Sequence, residues 1–130
     1  MTVAVAHSDT DAGRVALRRA AAEAILYGES LAVLHIVPGV EDPHTEGPGL
    51  EAQVRQELAD VPVELHVHTA AEGHDTAGAL VDLATEIDAT LLVMGTRRRT
   101  PVGKLLLGST VQRVLLDAPM PVLVVKAAGT

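Results

Sequence analysis

The sequence contains no cysteine, phenylalanine or tryptophan, and a single tyrosine, Tyr27. Without cysteine there is no disulfide framework, no thiol nucleophile and no cysteine-based zinc site. Without large aromatics the core must be assembled from Val, Leu, Ile and Ala, in a chain that is 48% apolar. Such residues suit strands covered on both faces, the condition of a parallel sheet. Long hydrophobic runs are also missing: none reaches the ~18 residues needed to cross a bilayer, so no membrane partner is expected. Positive charge is scarce, with 10 Lys and Arg against 17 Asp and Glu and a formal net charge of -7. That balance argues against generic nucleic-acid binding. The opening residues, Met1 to Ala6, lack a basic flank and pass straight into strand-type alternation. They read as structure rather than as a signal peptide, and the expected location is cytoplasmic.

What is present is an alternation of strand and helix patterns through a chain of 130 residues, the size of one domain with one core. Residues 1–130 are expected to form that single domain. Thr2 to Ala6 reads as a buried strand, followed by four residues, Ser8 to Asp11, any of which can cap a helix. Val15, Leu17, Ala20, Ala21, Ala24, Ile25 and Leu26 then follow a helical period that Gly28 stops. Leu31 to Val37 is a second buried strand ending at Pro38. Between Gly39 and Gly49, glycine, proline and acidic residues predict irregular chain. A short helix is expected over Leu50 to Leu58. Val61 to Thr69 alternates apolar with polar residues, which predicts a strand with one wet face near a sheet edge. Asp75 or Thr76 caps a third helix through Leu80, Leu83, Ala84 and Ile87, and Thr90 to Met94 is a fourth strand ending at Gly95. Ser109 or Thr110 opens a last helix, and Met120 to Val125 is the fifth strand. Such an order favours a doubly wound α/β domain, with parallel strands joined by right-handed crossovers and helices on both faces.

Ligands of open parallel sheets settle at the carboxyl ends of the strands, where the strand order reverses. The informative stretch is Gly95 to Thr110. A strand end leads into a basic loop, Arg97-Arg98-Arg99 with Lys104, which holds four of the ten Lys and Arg residues, and then into a helix start at Gly108-Ser109-Thr110. Backbone N–H groups and hydroxyls at Ser109 and Thr110, with the positive end of the helix dipole, favour a phosphate there. Blander readings stand beside this one: short charge runs are often solvated loops, and Gly108 and Ser109 also serve as ordinary turn and cap residues. His66 and His68 share one strand face without an evident third metal ligand, and read as solvent-facing imidazoles. His7, Ser8 and Asp9 are adjacent in sequence but lack the nucleophile elbow of a hydrolase. His7 is expected at the wall of the cleft, and His35, inside a strand, as a satisfied buried histidine.

The segment Leu92 to Gly95 through Gly108-Ser109, then Val114-Leu115 and Ala118 to Val125, resembles the carboxyl half of a universal stress protein. The resemblance implies a five-stranded parallel sheet in the order 3-2-1-4-5, the adenine nucleotide alpha hydrolase-like fold. ATP-binding members carry Gly-x2-Gly-x9-Gly-Ser/Thr. Gly95, Gly108 and Ser109 fill three of those positions, and Arg98 occupies that of the middle glycine, where Gly103 or the guanidinium itself could compensate. The Asp that such members carry at the end of the first strand corresponds to Ala6. The implied nucleotide site comprises Ala4, Val5, Ala6, Ile36 through its backbone, Met94 and Gly95 around adenine. Arg97, Arg98, Gly103, Lys104, Gly108, Ser109 and Thr110 then surround phosphate. The implied ligand is ATP or AMP, with Mg if ATP. The implied assembly is a homodimer through the last strand, Met120 to Lys126, whose apolar edge invites pairing. A dimeric stress-response binding or signalling module without a catalytic residue is thus expected. The rivals are a member that has lost nucleotide, a slow ATP phosphohydrolase using Asp9 and Asp11, and an electron-transfer flavoprotein subunit.

Overall fold

The computed structural model describes residues 1–39, 47–96, 98–99 and 105–127, of which 98–99 and 105–106 are described in their backbone alone. The first strand, β1 (Thr2–Ala6), leads to α1 (Asp11–Tyr27), β2 (Ser30–Val37) and α2 (Gly47–Glu57). There follow β3 (Leu65–Ala71), α3 (Thr76–Glu86) and β4 (Ala89–Thr96), then two short strands, β5 (Arg98–Arg99) and β6 (Leu105–Leu106). The chain closes with α4 (Ser109–Asp117) and β7 (Val122–Lys126). The main sheet has five strands in the order β3-β2-β1-β4-β7, all pairs parallel. In order of appearance this is 3-2-1-4-5, as the resemblance implied. β5 and β6 form a separate antiparallel ladder, a feature absent from the sequence expectation.

Alternation along each strand divides the core between two faces. Val3, Val5, Leu31, Val33 and Val93 join Ala16, Leu17, Ala20 and Val54 on the side covered by α1 and α2. Ala4, Ala6, Ala32, Leu34, Leu92 and Met94 join Leu80, Leu83, Val111 and Val114 on the side covered by α3 and α4. Leu31, Leu34 and Leu92 are wholly buried, and each such side chain contributes about 1.5–3 kcal/mol by leaving water. Among the described residues, no helix is long and apolar enough to cross a membrane.

Three elements start two or more residues from where they were expected. β3 starts at Leu65 rather than Val61, because the amides of Val61 and Val63 are taken by Leu58 O and Val61 O in a local turn. Val61 and Val63 still pack on the core, which is why their alternation resembles a strand. α2 starts at Gly47 rather than Leu50; Pro48 falls in its first turn, where a missing N–H costs no helical hydrogen bond. β7 starts at Val122, since Pro121 contributes its carbonyl to Leu92 N rather than a strand amide. β3 and β7 are the edges of the sheet, as their sequences suggested. On β3, His66 is exposed and its ring lies 3.2 Å from Glu64 Oε1.

Candidate functional site

The connection from β1 runs to β2 on one side of the sheet, and the chain later crosses over to place β4 on the other side of β1. Between diverging connections a crevice opens at the carboxyl ends of these two strands. It forms a cleft of about 650 Å³, within the size range of small-molecule sites. Ala6 closes its base at the end of β1, and Met94, Gly95 and Thr96 at the end of β4. Three helix starts surround it: Thr10, Ala12 and Gly13 at α1, Thr76 and Leu80 at α3, and Gly108, Thr110 and Val111 at α4.

Close approach of α1 to β4 depends on glycine. A Cβ on Gly95 would collide with the backbone carbonyl of Ala12, and one on Gly13 with the carbonyl of Ser8. The first turn of α1 is thereby pressed against the end of β4 and forms one wall.

The three helix starts are not equivalent. Thr10 caps α1, its hydroxyl accepting from Gly13 N at 3.0 Å, and Asp75 caps α3 by accepting from Gly78 N. At α4 the cap position is Gly108, which supplies no side-chain hydrogen bond. The positive end of the α4 dipole therefore faces the cleft without a hydrogen bond from its cap residue's side chain. The lining combines an apolar floor, Ala6, Leu80, Met94, Leu107 and Val111, with the hydroxyl-bearing Ser8, Thr10, Thr76, Thr96 and Thr110. An apolar floor suits a flat ring, and helix amides with hydroxyls suit an anion.

His7 is the one ionisable side chain among the described residues that line the cleft. Its amide donates to Leu34 O at 2.8 Å, which fixes the backbone beyond the end of β1. Its ring stands edge to face against that of His35, with centroids 5.3 Å apart. Burial, then the neighbouring His35, lowers the His7 pKa from the ordinary imidazole value against the opposing pull of Asp9 and Glu57. His35 is half-exposed at the end of β2 rather than buried. Asp9 and Asp11 are both ion-paired to Arg14 and neither caps α1; neither carboxylate is part of the cleft lining.

A model of the universal stress protein family matches residues 1–126. The chain belongs to the universal stress protein family. A universal stress protein of Mycolicibacterium smegmatis is 36% identical over 129 residues, covering 98% of each chain. The structure of a universal stress protein from Archaeoglobus fulgidus superposes with a TM-score of 0.79 at 32% identity, covering 97% of this chain and 98% of that one. A structure of the Archaeoglobus fulgidus protein in complex with dAMP gives a TM-score of 0.75 at 27% identity, with 97% and 98% coverage.

In this universal stress protein domain, Ala6, Met94, Gly95, Gly108 and Thr110 of the expected site residues meet at the cleft. Ala4 and Val5 do not: they are wholly buried inside β1, on opposite faces of the sheet. Ile36 is outside the lining too, paired with Ala70 in the ladder between β2 and β3. Ser109, the first residue of α4, is exposed and outside the lining, and Thr110 is the hydroxyl-bearing residue of this helix start that lines the cleft. Arg98 pairs with Leu106 through its backbone. Arg97, Gly103, Lys104 and the Arg98 side chain lie outside the described residues. The sequence marked Thr10 and Thr76 as caps, Ser8 as a cap or a rejected triad member and Leu80 as a helix-core position, and gave none of these, nor Ala12, Gly13, Thr96, Leu107 or Val111, a place at the cleft. The signal that finds them is general: in a parallel α/β sheet every helix that follows a strand begins at the edge where ligands bind.

Proposed function

We propose that the cleft holds an adenine nucleotide, ATP or AMP, and that the protein acts as a cytoplasmic stress-response binding or signalling module rather than as an enzyme. The observation that carries this is the Gly108 start of α4, lacking a side-chain cap and opening onto an apolar floor built from the ends of β1 and β4. The dAMP bound by the Archaeoglobus fulgidus relative supports the same ligand class. Adenine would rest against Met94 and Ala6, and phosphate at the amides of α4 beside Thr110. AMP suits the described lining better than magnesium ATP, because hydroxyls are present and no carboxylate to hold a metal is among those residues.

The module would be a homodimer joined along β7. Val122, Leu123, Val124 and Val125 remain only half-buried at the sheet edge, and Leu116 nearby in sequence on α4 is 82% exposed. An apolar edge of that kind is completed by a second copy.

Calorimetry and thermal unfolding with AMP, and with ATP plus magnesium, test the ligand assignment. Occupancy at a hundredfold excess over Kd would stabilise the fold by about 2.7 kcal/mol. No heat and no shift at millimolar concentration of either nucleotide would remove it.

A further inference from the structure

His7 stands where the cleft meets a second, narrow crevice between α1 and α2, and lines both. The crevice is bordered by Asp9, Arg14 and Glu57. The groups that face His7 electrostatically are therefore His35 from β2, Asp9 from the connection to α1, and Glu57 from α2. Arg14 of α1 is engaged by Asp9 and Asp11. On the cleft side the described lining offers hydroxyls, apolar groups and helix amides, and no carboxylate. A proton on this imidazole adds positive charge to a cavity already biased towards anions by the start of α4, whose cap residue bonds no amide through its side chain.

We propose that His7 is an anion-sensing residue of the cleft: it binds a proton when an anionic ligand enters, so that ligand capture strengthens as the pH falls. The inference takes for granted that the cleft holds a nucleotide, and adds how that occupancy is regulated. Three features support it. Edge-to-face contact with His35 sets two imidazoles close enough that charging both is disfavoured. Burial holds His7 neutral in the free protein at neutral pH. An entering phosphate supplies the opposite charge that reverses this balance, and reciprocity then requires the proton to favour the phosphate. Locking of the His7 amide to Leu34 O keeps the residue at the cleft wall in either charge state.

The probe is cyclic AMP, because its phosphodiester keeps a single negative charge between about pH 5 and about pH 8, so that any slope belongs to the protein. Adenosine is the uncharged control. Calorimetric affinities are measured across that range for the unaltered protein and for His7→Gln, and the His7 imidazole is titrated by NMR in the unaltered protein with and without cyclic AMP. The expected result is cyclic AMP affinity that rises roughly fivefold or more towards acid pH, adenosine affinity that does not, and a flat profile in His7→Gln. The His7 titration midpoint should move up on adding cyclic AMP, a measurement that needs no variant. Cyclic AMP binding with no pH dependence, a slope that persists in His7→Gln, or an unmoved midpoint overturns the proposal and leaves the nucleotide cleft intact. Absence of cyclic AMP binding at every pH also overturns the role of His7, and the nucleotide assignment falls with it only if AMP and ATP give no heat either.

Discussion

At residue scale two of the three glycines that line the cleft, Gly95 and Gly108, differ in what they do. Gly95 matches a signature glycine, yet the carbonyl of Ala12 occupies the place a Cβ would take. Gly95→Ala is therefore expected to destabilise the fold by about 1–3 kcal/mol or more through overpacking, read by urea unfolding. Gly108 has open space around its Cβ position and a φ of -67°, so Gly108→Ala meets no clash and should cost only what alanine loses to glycine as a helix cap, about 0.5–1 kcal/mol. His68 makes a separate prediction on β3. Burial, and then His66, lowers its pKa from the ordinary imidazole value. The unfolded chain therefore binds the proton more readily than the folded one. Its contribution to stability is present above the unfolded imidazole value of about 6.5 and is lost as the pH falls below it. His68→Gln should make the acid limb of a stability profile shallower, and an unchanged limb would count against the assignment.

At the scale of elements, the helix starts decide how the site works. Thr10→Ala removes the hydroxyl that caps α1 and should cost about 1 kcal/mol. Gly108→Asp runs the other way: a carboxylate at the cap would bond the first amides of α4 and stabilise the helix by a few tenths of a kcal/mol. The same carboxylate would occupy the proposed phosphate position, and AMP affinity should fall roughly tenfold or more. Opposite signs for stability and affinity in one variant would be difficult to produce by a general loss of structure. The legibility of these elements followed their periodicity. The pattern of Ala20, Ala21 and Ala24 with Gly28 at φ 65° gave helix α1 its expected end. Val61 and Val63 mimicked a strand because packing on the core, not ladder pairing, selects valine there. Pro48 was taken for a breaker because its position inside the first turn of α2 depends on where that helix docks.

At the scale of the whole molecule, the sheet order and the cleft arise together, since reversal of connection between β1 and β4 both sets the order and leaves the crevice. The edge strand carries the last prediction. If β7 joins two copies, Val124→Lys combined with Leu116→Glu should lower the mass found by light scattering from twice the chain mass to that of a single chain at micromolar concentration. A single-chain mass for the unaltered protein would remove the dimer itself. Val124 also packs on the α3 and α4 side of the core, so circular dichroism must show that the doubly substituted chain keeps its secondary structure, and Leu116→Glu alone, at an exposed position, should weaken the pair without that cost.

The amino-acid sequence by itself determined the fold class, the number of main strands and the edge character of β3 and β7, because these follow from local periodicity and turn residues. Tertiary structure decided which side chains share the cleft. Ser109 is exposed outside the lining while Thr110 lines it, Ala4 and Val5 are sealed within the sheet, and Thr10, Thr76 and Thr110 converge from segments distant in sequence. Convergence of that kind depends on the crossing of connections and on the contact of α1 with β4 at Gly95, which long-range packing sets and local pattern does not encode.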